Sequence, residues 1–224
     1  MNVYILVEGK QTERKVYPVW LSQLASHMKK VESPADVEEN SYFLISGEGY
    51  PRLLDVSLKD SLTDICESGK FDAFWIVLDS DGEDVRVRIE DINSRIASLG
   101  IEIGRCKVEI ILQNPCIETW GLGNKSVISV NQLHGDFNNC FHFYDVVTND
   151  PELMTKPEDF IGTIANYHEY YIKNMYKQVR LSYSKNRPIA LIDPTTLEQI
   201  VRRLDDTPGH LSSFKTFFSL ATKL

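Results

Sequence analysis

Three short acidic segments carry most of the chemical potential of this chain. In Val7-Glu8-Gly9-Lys10-Gln11-Thr12-Glu13, one carboxylate ends a short apolar run and a second falls on the first turn of the helix expected next. In Leu78-Asp79-Ser80-Asp81-Gly82, an aspartate pair closes the apolar run Ala73–Leu78. Asn114-Pro115-Cys116-Ile117-Glu118-Thr119-Trp120 follows a further apolar run and contributes Glu118. In an extended Asp-x-Asp the two carboxylates point the same way, because strand side chains alternate with period two. Carboxylates that converge repel one another unless a cation is present, so convergence itself implies a metal. Hard oxygen donors with positions left for water and phosphate suit Mg2+, or Mn2+, better than a closed zinc cage. Each segment also has a plainer reading: a turn at Asp79–Gly82, a helix-cap or turn carboxylate at Glu8, a solvated helix carboxylate at Glu13 and a helix N-terminal carboxylate at Glu118.

Positioning these residues requires strands that end together. Apolar runs at Val3–Val7, Tyr42–Ile45, Ala73–Leu78 and Val108–Leu112 read as buried strands. Between them, helical spacing predicts helices from Thr12 to about Lys30, from about Pro51 to Glu67, and over 85–99. Continuous apolar strands alternating with amphipathic helices predict an α/β fold with a mostly parallel sheet covered on both faces. In such sheets ligands bind beyond the carboxyl ends of the strands, where all three acidic segments fall. After about residue 124 the pattern turns polar and Asn-rich, then helical over about 158–178, 194–204 and 208–222, with an extended Leu181–Lys185 between. The expected division is 1–124 as an α/β domain and 125–224 as a helical C-terminal part packed on it. Tyr167, Tyr170, Tyr171 and Tyr176 sit at helical spacing and read as packing, with a base-stacking platform as the sharper alternative.

Composition narrows the class. The chain has 224 residues, 42% hydrophobic and 25% charged, enough for a sizeable core. Its four cysteines have no paired spacing and read as reduced thiols, which points to the cytoplasm. No apolar stretch is long enough to span a membrane, and the polar turn after Val7 does not fit a signal peptide. The net charge is −8, and residues 31–150 hold 22 Asp/Glu against nine Lys/Arg, while both ends are mildly basic. No basic cluster is dense enough to bind nucleic acid tightly by charge alone.

The order V-E-G-x-x-T-E, apolar strand, D-S-D-G resembles the Toprim fold of primases, type II topoisomerases and OLD-family nucleases. The segment N-P-C-I-E-T-W resembles a signature of RloB-like Toprim proteins of anti-phage defence. Tyr183-Ser184-Lys185 and the closing helix with Phe214, Phe217 and Phe218 are more weakly similar to the RloB-like C-terminal part. The resemblance spans about residues 3–120. It implies Glu8 as general acid/base or metal ligand, Asp79 and Asp81 as principal magnesium ligands, and Glu13 and Glu118 as further metal or supporting carboxylates. It also implies Lys185 as a catalytic contact to phosphate. Where some OLD-type sites carry an acidic residue four positions after the first Glu, this chain has Thr12, so one metal or two stays open.

The function so implied is Mg2+- or Mn2+-dependent phosphodiester hydrolysis by an endonuclease acting on DNA or RNA. The chain has no G-x-x-x-x-G-K-[ST], so any ATP dependence requires a separate ATPase subunit; no membrane is involved, and a homo-oligomer is compatible with the sequence. Primase-like nucleotidyl transfer with the same carboxylates is one alternative. A non-catalytic Toprim assembly subunit is another.

Overall fold

The computed structural model describes residues 1–224. Strands and helices follow in the order β1 (Val3–Val7), α1 (Thr12–Leu24), β2 (Lys29–Val31), β3 (Ser41–Ser46), α2 (Leu58–Ser68), β4 (Ala73–Asp79), α3 (Val85–Leu99) and β5 (Lys107–Gln113). Six helices follow: α4 (Ile117–Gly121), α5 (Gly135–Phe143), α6 (Ile164–Lys177), α7 (Ile189–Ile192), α8 (Pro194–Asp206) and α9 (Ser212–Ala221). The five strands form one sheet in the order β2-β3-β1-β4-β5, an α/β, Rossmann-like arrangement. No helix is long and apolar enough to cross a membrane.

Cα proximity divides the chain into two compact units. The first comprises residues 1–78, 83–112 and 219–224; the second comprises residues 79–82 and 113–218. In the first unit, β1 pairs in parallel with β3 through Val3↔Tyr42 to Val7↔Ser46, and with β4 through Val3↔Ala73 to Val7↔Val77. All five residues of β1 are buried, as a central strand covered on both faces requires. Its core gathers Tyr4 and Leu6 with Phe43, Leu62, Phe74 and Ile76. The Tyr4 ring meets Phe43, Phe71 and Phe74 edge-on at centroid distances of 5.1, 5.2 and 5.6 Å.

Two details depart from the periodicity. The helix expected to reach Lys30 stops at Leu24, and Lys29–Val31 instead pairs in parallel with β3 as the edge strand. Two lysines on an edge discourage pairing with a further chain, which a short edge strand must avoid. The helix expected from Pro51 opens as a wide π-type turn over Leu53–Ser57 before α2 begins.

The second unit is helical. Trp120 is fully buried there, stacked against Phe217 at 5.6 Å and edge-on to Phe214 at 5.5 Å, with its indole N–H donated to Ser213 Oγ at 2.6 Å. Helix α6 starts with a reciprocal cap in which Thr163 Oγ1 accepts from Asn166 N and Asn166 Oδ1 accepts from Thr163 N. It buries Tyr167, His168, Tyr171, Ile172 and Met175. The polar, Asn-rich stretch before it contains α5, whose Phe137, Cys140 and Phe141 face inward.

Candidate functional site

In the first unit, Glu8 lies immediately beyond β1, at the carboxyl edge of the sheet. Its N–H donates to Val77 O at 2.9 Å, its carbonyl accepts from Gly49 N at 2.9 Å, and its carboxylate accepts from Tyr50 N at 3.3 Å. The following loop explains the glycine. Glu13, 4% exposed, turns back so that its Oε1 accepts from Gly9 N at 3.1 Å. A Cβ on Gly9 would lie 2.0 Å from Glu13 Oε2, so no side chain fits there while Glu13 holds the loop. Glu13 therefore has a structural duty, that of closing the turn between strand and helix. Beside them Glu48 pairs with Arg52 at 3.3 Å and with Lys10 at 3.8 Å, an exposed network that the sequence did not mark.

The second unit holds the other predicted residues. Ser80 N donates to Gln113 O at 2.9 Å, Asp81 N to Pro115 O at 3.1 Å, and Ser80 Oγ to Asn114 Oδ1 at 3.0 Å. The aspartate segment is thereby stitched to the Asn-Pro-Cys segment, so two of the three acidic motifs are brought together. The extended geometry expected for Asp79-x-Asp81 does not hold, however. Asp79 is the last residue of β4, and Asp81 has φ +52°, followed by Gly82 at +84°. Backbone that turns left-handed at Asp81 breaks the two-residue alternation. Asp79 is half-buried, whereas Asp81 is exposed.

Glu118, on α4, is only 1% exposed and accepts a 2.6 Å hydrogen bond from the Tyr183 hydroxyl. Spacing alone does not reveal this partner, 65 residues away. Two residues beyond Tyr183, the Lys185 ammonium stands 3.8 Å from Glu169. Partial burial pulls the Lys185 pKa down; Glu118, Glu169 and Asp79 together outweigh that and leave it raised, so the ammonium stays charged. Lys185 thus feels both Asp79 and Glu118. Cys116 feels them too: burial, then Glu118 and Asp79, push its thiol well above the ordinary range. Protonated and fully buried, it is neither nucleophile nor soft metal ligand at neutral pH.

Behind this cluster runs a buried polar chain that the sequence also left hidden. Cys116 Sγ lies 3.6 Å from Thr119 Oγ1, which lies 2.9 Å from His168 Nδ1. His168 Nε2 lies 3.0 Å from the Met154 carbonyl. A carbonyl can only accept, so Nε2 carries the proton and Nδ1 accepts from the Thr119 hydroxyl. Burial pushes the His168 pKa down to about 4, in keeping with a neutral ring engaged on both nitrogens.

No three His, Cys, Asp or Glu side chains are gathered as a ready-made metal cage. What the second unit presents is the Lys185 ammonium paired with Glu169 and in the field of Glu118 and Asp79. No family model, curated protein or solved structure matches this chain.

Proposed function

We propose that this protein is a metal-dependent phosphodiesterase of the Toprim type, an endonuclease that cuts DNA or RNA. The observation that carries the reading is Lys185 standing in the field of Asp79 and Glu118, with Tyr183 holding Glu118. The order of the acidic motifs along the chain supports the same class of chemistry.

The donor chemistry fits magnesium. With the Cys116 thiol protonated and both His168 nitrogens engaged, the donors that remain are carboxylate oxygens. An ion that keeps several waters and binds through one or two carboxylates plus substrate phosphate needs no larger cage. Asp79 and Glu118 are the residues that would hold it, with exposed Asp81 within two residues of Asp79. When bound, the metal supplies Lewis acidity toward a phosphate oxygen and lowers the pKa of water.

The side chains supply the rest. Tyr183 fixes the Glu118 carboxylate in one orientation, and Glu118, Glu169 and Asp79 together keep the Lys185 ammonium charged. Lys185 neutralises negative charge on the non-bridging oxygens as it grows in the transition state. Glu8, beyond β1 in the first unit, belongs to the same proposal as a general acid/base or metal ligand. An effector role in anti-phage defence, in the cytoplasm and with a separate ATPase subunit, belongs to the same proposal.

The test uses supercoiled plasmid and total tRNA, each with Mg2+, Mn2+ or EDTA. Wild type should cut at least one substrate only with divalent metal. Asp79→Ala and Glu8→Ala should abolish cutting, and Lys185→Ala should slow it about 100-fold, the scale of losing one preorganised charge contact. Cutting that survives in Asp79→Ala refutes the assignment, and nucleotide incorporation without cutting would identify a transferase.

A further inference from the structure

The tyrosine series on α6 does not behave as one packing stripe. Tyr171 and Tyr176 are fully buried, whereas Tyr170 is 36% exposed and, with Tyr167, lines an open cavity of about 670 Å³ within the second unit. Phe143 and Phe160 complete its aromatic wall, and Ile161, 97% exposed, stands at its rim. The rings brace one another: Phe160 lies 5.0 Å from Tyr167 and 5.7 Å from Tyr170, and Phe143 lies 5.4 Å from Tyr167. Phe143 is itself 41% exposed, so a large apolar and aromatic surface faces water here without a covering element.

Acidic side chains outnumber basic ones around these rings. Asp159 lines the cavity, and the Asp136 carboxylate lies against the Tyr170 hydroxyl. No Lys or Arg lines it; the Lys156 ammonium donates to the Phe160 carbonyl at 3.1 Å instead. Ring faces are negative, and carboxylates add to that potential, so the favoured guest is a cation with a flat apolar face. A nucleobase would also stack, but its phosphates would be carried toward Asp159 and Asp136. Between the two biological cations, guanidinium matches better than ammonium, since it stacks on rings and forks to a carboxylate at once. The first unit shows the same chemistry internally: Arg88 sits 4.2 Å from the Tyr50 ring centroid and 3.3 Å from Glu83.

We propose that this cavity binds an arginine side chain presented by a partner polypeptide. The volume exceeds what one guanidinium fills, which leaves room for the residues flanking it, with Ile161 as an apolar contact at the rim. The site is separate from the carboxylate cluster and does not depend on the nuclease reading.

The experiment follows aromatic and isoleucine methyl NMR signals of the intact chain during titration. Three probes are used: a blocked Gly-Arg-Gly peptide, its citrulline counterpart and adenosine monophosphate. The arginine peptide should shift the Tyr170, Phe160 and Ile161 signals saturably, and the uncharged citrulline peptide should not. Tyr170→Ala and Asp159→Asn should each weaken binding about 3- to 30-fold, the range expected for losing one ring or charge partner of a stacked cation. If Tyr170→Ala does not fold, the exposed Asp159→Asn decides alone. Equal shifts from citrulline, stronger shifts from the mononucleotide, or no shifts at all would overturn the proposal. So would shifts of the same signals on simple dilution of the free protein, which would make a second copy of this chain the occupant.

Discussion

At the scale of single residues, Gly9 and Glu13 form the tightest constraint beside a predicted site residue. With a Cβ at Gly9 placed 2.0 Å from Glu13 Oε2, Gly9→Ala must displace the carboxylate that accepts the Gly9 N–H. The expected loss is about 1–3 kcal/mol, typical of forcing extra volume into a filled space. Glu13→Ala alone should cost about 1–2 kcal/mol by leaving that N–H without its acceptor. The double variant should then cost clearly less than the two single losses added, because the second alanine removes the clash the first creates. Urea unfolding of the four proteins measures this. Additivity within about 0.5 kcal/mol would mean that Gly9 is there for some other reason. In sequence, Glu13 is one carboxylate in a motif; its turn back onto Gly9 is a matter of local geometry, which spacing does not encode.

At the scale of elements, what periodicity could see was what hydrophobicity alone dictates. Ala73–Leu78 is six consecutive apolar residues, which can only be satisfied in a covered strand, and β4 spans Ala73–Asp79. Lys29–Val31 has no such signal, since an edge strand is held by backbone pairing rather than by buried side chains. Leu181–Lys185 read as extended, yet it reduces to a tight turn with a single bridge, Ser184↔Arg187, which sets Tyr183 and Lys185 in place. Of the candidate site, the acidic segments are visible in sequence because strand ends concentrate them; Tyr183 on Glu118 and Glu169 near Lys185 are not, being tertiary contacts that spacing does not encode. The boundary near residue 124 followed a change of pattern, whereas the compact units part at the end of β5 and draw residues 79–82 into the second. Helix α6 also makes a pH prediction. His168 is held neutral, with a folded pKa of about 4 against 6.5 for an ordinary imidazole. Between those values the unfolded chain binds the proton and the folded one does not. The stability from His168 is therefore complete above pH 6.5 and falls as pH drops toward 4, by roughly 3 kcal/mol in all. Unfolding free energies at pH 7, 5.5 and 4.5 should show this decline, and His168→Gln should remove most of its slope relative to wild type. An unchanged slope would assign the acid sensitivity to other groups.

At the scale of the whole molecule, net charge and the proposed metal make separable predictions. Residues 31–150 concentrate the negative charge, so ordinary salt should stabilise the chain modestly by screening, with no specificity between ions. A metal held by Asp79 and Glu118, as proposed, would act differently, because it would bind the folded state through oxygens that the unfolded chain does not assemble. Stabilisation by such binding follows mass action, and for an ion at tenfold its dissociation constant amounts to about 1.4 kcal/mol. For a chain of this size that corresponds to a rise of about 3–6 °C in the melting temperature. Melting with Mg2+ should therefore exceed melting in NaCl matched for ionic strength by that margin. Asp79→Asn should lose the excess while keeping the response to NaCl, since one carboxylate of many barely alters the screening term. Equal shifts for Mg2+ and NaCl in the wild-type chain would mean that these acids hold no specific ion, and the Lys185 ammonium would then be the only cation the cluster needs.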